Sequence, residues 1–116
     1  DPRAFVCDPV ALTLAMEALQ RCYDQSLRPI ERVFIYLPLE HSENLADQNR
    51  SVELFSGLCK SIGEERRAGF AGFLDYAIRH QEIIARFGRF PHRNKILGRK
   101  SSPEEELFLH QPNSSF

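Results

Sequence analysis

Apolar residues recur every three or four positions in four stretches of the chain, the spacing that places them on one face of an α-helix. The first stretch follows Asp8-Pro9, where an N-cap oxygen precedes a proline in the first helical turn. Its apolar positions are Leu12, Ala15, Met16, Leu19, Cys22 and Tyr23, with an end near Asp24. This pattern predicts an amphipathic helix that needs a partner surface.

Two further helices are predicted between Pro29 and Gly63. After Pro29 the same spacing continues through Ile30, Val33, Phe34 and Leu37. The run from Val33 to Leu37 also fits a buried strand, and of the two we predict the helix. Pro38 predicts a break or kink. A long third helix then carries Leu45, Gln48, Val52, Phe55, Cys59 and Ile62 as far as the turn at Gly63.

A fourth helix is predicted from Glu64 to Phe90, which precedes a proline and is therefore biased away from helical angles. Gly69 and Gly72 weaken its beginning by roughly 1 kcal/mol each relative to alanine, and we expect them to permit close helix contact. A short helical turn from Arg93 to Leu97 is closed by Gly98, and a capping box at Ser102-Pro103-x-Glu105 starts a last helix. The sequence predicts an all-α fold of antiparallel helical pairs.

Composition and length favour one folded domain over residues 1–116. The chain is 42% hydrophobic and 27% charged, which is ordinary globular usage. Its three cysteines form no CxxC pair, so we expect a reducing, cytoplasmic location. The longest apolar run, Val33 to Leu37, falls far short of the ~20 residues of a membrane-spanning helix, so no membrane role is predicted.

Net charge is −1, so attraction to nucleic acid requires a local patch. Such a patch is present between residues 83 and 103, which contain no acidic residue. The basic residues there are Arg86, Arg89, Arg93, Lys95, Arg99 and Lys100. RNA binding through residues 86–100 is therefore one hypothesis, and it predicts an affinity that falls steeply with salt.

The most polar stretch of the middle third runs from Pro38 to Asp47. Glu43 and Asp47 lie four residues apart, so on a helix their carboxylates share a face and need a cation nearby. A metal-assisted or hydrolase-like enzyme would use His41, Glu43 and Asp47, completed by His80 or His92. No HExxH motif occurs, and carboxylates at this spacing are common on solvated faces, so we assign no metal and no catalytic residue.

Arginines alternate with aromatic residues in the segment from Arg86 to Asn94. Arginine forks bind carboxylate or phosphate, and phenylalanine rings stack on other rings, so the segment suits an anionic ligand. The alternative is structural: the arginines pair inside the molecule with Glu40, Glu43 and Asp47. His80 lies at the edge of the apolar face of the fourth predicted helix. We predict that it is a core histidine whose hydrogen bonds are made within the protein.

Several segments resemble the bacterial domain of unknown function 924. The match lies in Tyr36 to Glu43, Leu45 to Gln48 and Arg86 to Asn94, and it extends over nearly the whole chain. The resemblance implies a tetratricopeptide-like helical fold in a bacterial cytoplasmic protein with no established activity. The family's shared polar positions fall on His41, Glu43, Asp47, Arg50, His80, Arg86, Arg89, His92, Arg93 and Asn94.

The family usually has a further helical section upstream, so residues 1–116 resemble the C-terminal, larger part of its domain. Without that section, the apolar faces of the first two predicted helices would be exposed, which predicts self-association. We predict a non-enzymatic binding or scaffolding module, without cofactor, that holds an acidic peptide or small anionic ligand. Its predicted ligand-binding residues are Arg50, His80, Arg86, Arg89, His92, Arg93 and Asn94.

Overall fold

The computed structural model describes all 116 residues and contains helices and turns but no strand. Its helices are α1 (Asp8–Gln20), α2 (Pro29–Glu40), α3 (Leu45–Ser61), α4 (Glu64–Phe87), α5 (Asn94–Leu97) and α6 (Pro103–Leu109). Short 3₁₀ turns lie at Pro2–Phe5, Tyr23–Ser26 and Pro91–Arg93. The prediction of an all-α fold is confirmed.

Side-chain caps fix the beginnings of α3 and α6, and the sequence predicts the second of them. The Asn44 side chain accepts a hydrogen bond from the Ala46 amide at the start of α3. At α6, Ser102 Oγ accepts from the Glu105 amide at 3.1 Å, and Glu105 Oε1 accepts from the Ser102 amide at 2.9 Å. The capping box is therefore present in full, satisfying two amides that the first turn of a helix leaves unpaired.

The predicted ends of the first two helices are wrong by a few residues. Helix α1 stops at Gln20 because Cys22 takes a left-handed conformation with φ of 57°, and Cys22 and Tyr23 are exposed rather than part of the core stripe. Helix α2 continues through Pro38 to Glu40, and both Leu39 and Glu40 are buried. Tertiary packing at these two positions outweighs the helix-breaking tendency of proline.

The main core lies between α2, α3 and α4. Short connections join these helices, so consecutive neighbours run antiparallel. Its buried members are Leu19, Val33, Tyr36, Leu39, Phe55, Leu58, Cys59, Ile62, Phe70 and Ala77. A smaller core of Ile83, Ile84 and Phe90, with Phe87 and Phe108 against it, holds the C-terminal segments to the end of α4.

The two glycines early in α4 do not permit close helix contact, contrary to the prediction. A Cβ atom built at Gly69 or at Gly72 would meet no heavy atom within 4 Å. Both glycines instead border a cavity between α2 and α4. Small residues at these positions therefore leave open space.

Helices α1 and α2 carry apolar side chains that nothing in the chain covers. Val10, Leu14 and Phe34 are 62%, 61% and 68% exposed. None of the helices combines the length and the apolar character needed to span a lipid bilayer.

Candidate anion-binding site

A cavity of about 370 Å³ lies where the N-terminal 3₁₀ turn, the start of α1, the end of α2 and the Pro91–Arg93 turn meet. Phe5 and Asp8 come from the N-terminal elements, and His41 caps the C-terminal end of α2. Its lining residues are Ala4, Phe5, Asp8, His41, His80, His92, Arg93, Ile96 and Phe116. A second depression of about 270 Å³ shares Phe5, Asp8, His41 and Arg93 with it.

Arg93 is the principal cation of this cavity. Its guanidinium lies between two aromatic rings, 4.6 Å from the Phe5 centroid and 4.7 Å from the Phe90 centroid. It donates one hydrogen bond, from Nη2 to the His41 carbonyl oxygen at 3.1 Å. Its Nε atom is buried and has no hydrogen-bond partner. The stacking holds the side chain in place while leaving guanidinium donors unused.

Three histidines share this cavity, and burial disfavours the charged form of each. Burial lowers the pKa of His80 to about 4, and its Nδ1 lies 2.7 Å from the Tyr76 carbonyl oxygen. Loss of solvent contact also lowers the pKa of His41 and of His92. Phe116 stacks on His80 with ring centroids 3.6 Å apart. Neutral imidazoles offer hydrogen-bond donors and acceptors beside Arg93 without adding charge.

His80 is also half of a buried acid–base contact. Its Nδ1 lies 3.5 Å from Glu40 Oε1, and the two side chains are 6% and 4% exposed. Burial raises the pKa of Glu40 to about 7, and Oε1 accepts no hydrogen bond. This buried position agrees with the predicted core role of His80.

Behind the cavity, Glu43 joins two segments that are distant in sequence. Arg99 donates to its carboxylate from Nη1 at 2.8 Å and from Nη2 at 3.1 Å, and the Phe90 amide donates to Oε2 at 2.6 Å. Burial would raise the pKa of Glu43, but the hydrogen bonds from Arg99 and Phe90 hold it below its usual range. Glu43 thus anchors the chain just before the Pro91–Arg93 turn.

A second carboxylate orders the opposite side of that turn. Glu105 is buried and accepts hydrogen bonds from Arg89 Nε at 2.9 Å, Arg89 Nη2 at 2.7 Å and Asn94 Nδ2 at 3.2 Å. The hydrogen bonds from Arg89 lower the pKa of Glu105 to about 2. Asn94 Oδ1 in turn accepts from Arg99 Nε at 3.0 Å, which links the Glu105 and Glu43 networks.

The structure places the predicted ligand-binding residues in different surroundings. His80, His92 and Arg93 line one cavity together with His41, which was a candidate of the enzyme alternative. Arg89 and Asn94 are held in an internal network, but its ion pairs are not the expected ones: Arg89 pairs with Glu105, and Glu43 pairs with Arg99. Arg86 stacks over Phe87 at 4.6 Å and over Phe108 at 5.8 Å, and Arg50 is exposed.

The expected shared helical face of Glu43 and Asp47 is wrong. Glu43 precedes the N-cap of α3, so the two carboxylates do not follow one helix, and Asp47 accepts a hydrogen bond from Ser42 Oγ at 2.7 Å instead of facing an arginine. No three His, Cys, Asp or Glu side chains are placed to hold a metal ion together. The ligand set His41, Glu43, Asp47 and His92 therefore has no geometric support.

Sequence reasoning missed several residues that shape the site. Arg99 was visible only as part of a basic block, and Glu105 only as part of a capping box. Asp8 and Phe5 carried no sign of lying beside residues 41 and 93. The aromatic and basic alternation after Arg86 was the available signal, and it identified Arg93 without separating it from its neighbours.

Comparisons with known proteins agree on a bacterial family without an assigned activity. The sequence model described as "Bacterial protein of unknown function (DUF924)" matches residues 1–113. The solved structure of a protein of unknown function from Agrobacterium tumefaciens is 40% identical and superposes with a TM-score of 0.77, covering 91% of this chain and 54% of that one. The chain thus spans about half the length of that relative. No curated protein matches.

Proposed function

The chain belongs to DUF924, a family of bacterial proteins of unknown function, and because that membership carries no activity, we propose a function from the site alone. It binds a small anionic ligand, a carboxylate or phosphate compound, in the cavity lined by His41, His80, His92 and Arg93. The cytoplasmic location and the tetratricopeptide-like arrangement belong to the same proposal and remain predictions.

The unpaired guanidinium of Arg93 carries the proposal. Arg89 and Arg99, its neighbours in the basic block, each form an ion pair with a carboxylate, whereas Arg93 forms none. A cation that is partly removed from water and whose Nε lacks a partner gains more from an incoming anion than a solvated one does. Stacking on Phe5 and Phe90 already fixes the side chain, so ligand capture loses little conformational freedom.

The size of the cavity favours a small molecule over an acidic peptide. About 370 Å³ lies near the lower end of the range of small-molecule sites. Asp8, which lines the same wall, repels any anion and so limits the affinity that Arg93 provides. RNA binding has less support, because Arg89 and Arg99 in the basic block are already neutralised by Glu105 and Glu43.

Titration calorimetry with inorganic phosphate and with succinate tests the proposal. We expect Arg93→Gln to weaken binding by at least about tenfold, since a charge-assisted hydrogen bond contributes roughly 1.5–3 kcal/mol. Arg93→Lys keeps the positive charge but loses the planar guanidinium that can bind an anion through two hydrogen bonds. Its affinity should therefore lie between those of the wild type and Arg93→Gln. Arg86→Gln is the matched control, an exposed arginine of the same block, and should bind like the wild type.

Asp8→Asn is a further test variant. Its affinity for both anions should rise severalfold, because the substitution removes the one acidic side chain of the cavity wall. Thermal unfolding of each variant separates loss of binding from loss of structure. Equal affinity of the wild type and Arg93→Gln for both anions would overturn the proposal. A comparable loss in Arg86→Gln would also overturn it, because that result indicates diffuse attraction to the basic block.

A further inference from the structure

A second cavity, of about 410 Å³, lies between α2 and α4 on the far side of the Glu40–His80 contact. Leu37, Phe55 and Phe73 give it apolar walls. Its remaining lining residues are Glu40, Gly69, Gly72, Asp75 and Tyr76. None of the eight lining residues is basic, so this cavity differs in charge from the one that contains Arg93.

The carboxyl group of Glu40 has no hydrogen-bonding role within the chain. The residue is 3% exposed, and Oε1 is buried without a hydrogen-bond partner. On another helix, His80 Nδ1 lies 3.5 Å from Oε1, but it already donates to the Tyr76 carbonyl oxygen. A buried carboxyl group without a donor is unfavourable, so a bound group that donates to it would be strongly held.

The two glycines of α4 keep this cavity open. Side chains at positions 69 and 72 would project into space that contains no other atom within 4 Å of their Cβ positions. Glycine inside a helix is destabilising by roughly 0.5–1 kcal/mol relative to alanine. Glycine at these two positions therefore leaves the cavity wall open, although alanine would make a more stable helix.

We propose that this cavity binds an apolar organic cation, such as an alkyl or aryl ammonium ion, with its ammonium group on Glu40 and its hydrocarbon part against Leu37, Phe55 and Phe73. The carboxyls of Glu40 and Asp75 match a positive head group, and no lining residue repels one. The aromatic walls add cation–π attraction close to the ammonium. This site is separate from the anion cavity and does not depend on the function proposed above.

Other ligand classes fit the cavity less well. A carboxylate ligand would meet Glu40 and Asp75 without any cation to offset them. A neutral alcohol could donate to Glu40, but it brings no positive charge to offset the buried carboxylate. The groups facing Glu40 are His80, neutral at pH 8, and Asp75 and Tyr76 in the same cavity, so none of them supplies the missing positive charge.

Calorimetric titration of the whole chain at pH 8 with 2-phenylethylamine, and with 2-phenylethanol as its uncharged match, tests this assignment. We expect the amine to bind at least about tenfold more tightly than the alcohol, because only the amine brings a positive charge to the Glu40 carboxylate. Glu40→Gln, which preserves shape, should abolish that preference. Glu82→Gln, at an exposed position on α4, should keep it.

Gly72→Leu provides a second variant that does not alter Glu40. Its side chain enters open space and should block both compounds while the helix stays folded. Arg93→Gln should leave amine binding unchanged, which distinguishes this site from the anion cavity. Equal affinity for amine and alcohol, an undiminished preference in Glu40→Gln, or no binding of the amine at millimolar concentration would each overturn the proposal.

Discussion

The buried contact between Glu40 and His80 predicts how the stability of the protein depends on pH. The ordinary pKa of Glu40 is 4.5, and burial raises it to about 7 in the folded chain. The folded state therefore binds this proton more tightly than the unfolded state does. Its contribution to stability is complete below pH 4.5 and is lost as the pH rises through 7. A difference of this size corresponds to roughly 3 kcal/mol.

His80 has the opposite effect over nearly the same range. Its pKa falls from 6.5 to about 4, because burial disfavours the imidazolium. The folded state releases this proton more readily, so stability is complete above pH 6.5 and is lost as the pH falls through 4. In the wild type the two effects oppose each other between about pH 4.5 and pH 6.5, and the pair contributes little net slope there.

Replacing Glu40 with glutamine removes one of the two opposing effects. The free energy of unfolding of Glu40→Gln minus that of the wild type should rise by roughly 3 kcal/mol between pH 4 and pH 8. Both side chains are almost fully buried, so solvent screening reduces this figure little. Urea denaturation at a series of pH values measures the difference, and the titrations of groups far from Glu40 cancel from it.

Glu82→Gln serves as the control, because its carboxylate is exposed and should give a nearly constant difference. A flat profile for Glu40→Gln would refute the reasoning, since it would mean that Glu40 titrates alike in the folded and unfolded chains. A rise at the same pH in both variants would refute it as well.

Two further predictions concern the helices and the network behind the site. Gly72→Ala should raise the free energy of unfolding by about 1 kcal/mol, because its Cβ meets nothing within 4 Å, whereas Gly88→Ala should lower it, because φ there is +73°. Thermal unfolding that ranks them in the reverse order contradicts this. Glu43→Gln should lower stability by about 2 kcal/mol through weakened bonds from Arg99 and Phe90, and an equal effect of exposed Glu53→Gln in urea denaturation would contradict that.

The positions of the main helices followed from the sequence because local interactions set them. The apolar spacing within α3 and the capping box at Ser102 act over a few residues, and both appear in the structure as predicted. Predictions from local sequence failed where contacts with residues distant in the sequence determined the structure. Helix α2 passes through Pro38 because Leu39 and Glu40 are buried against other helices.

The identities of the charged pairs were decided only by the tertiary structure. Sequence patterns indicated that arginines late in the chain meet carboxylates from its middle, but Arg99 rather than Arg89 reaches Glu43, across 56 residues. Arg89 is taken by Glu105, which leaves Arg93 with no carboxylate partner. Helical periodicity reports which side of a helix a residue occupies. The cation left open for a ligand depends on how separate helices pack, since every arginine here has similar local chemistry.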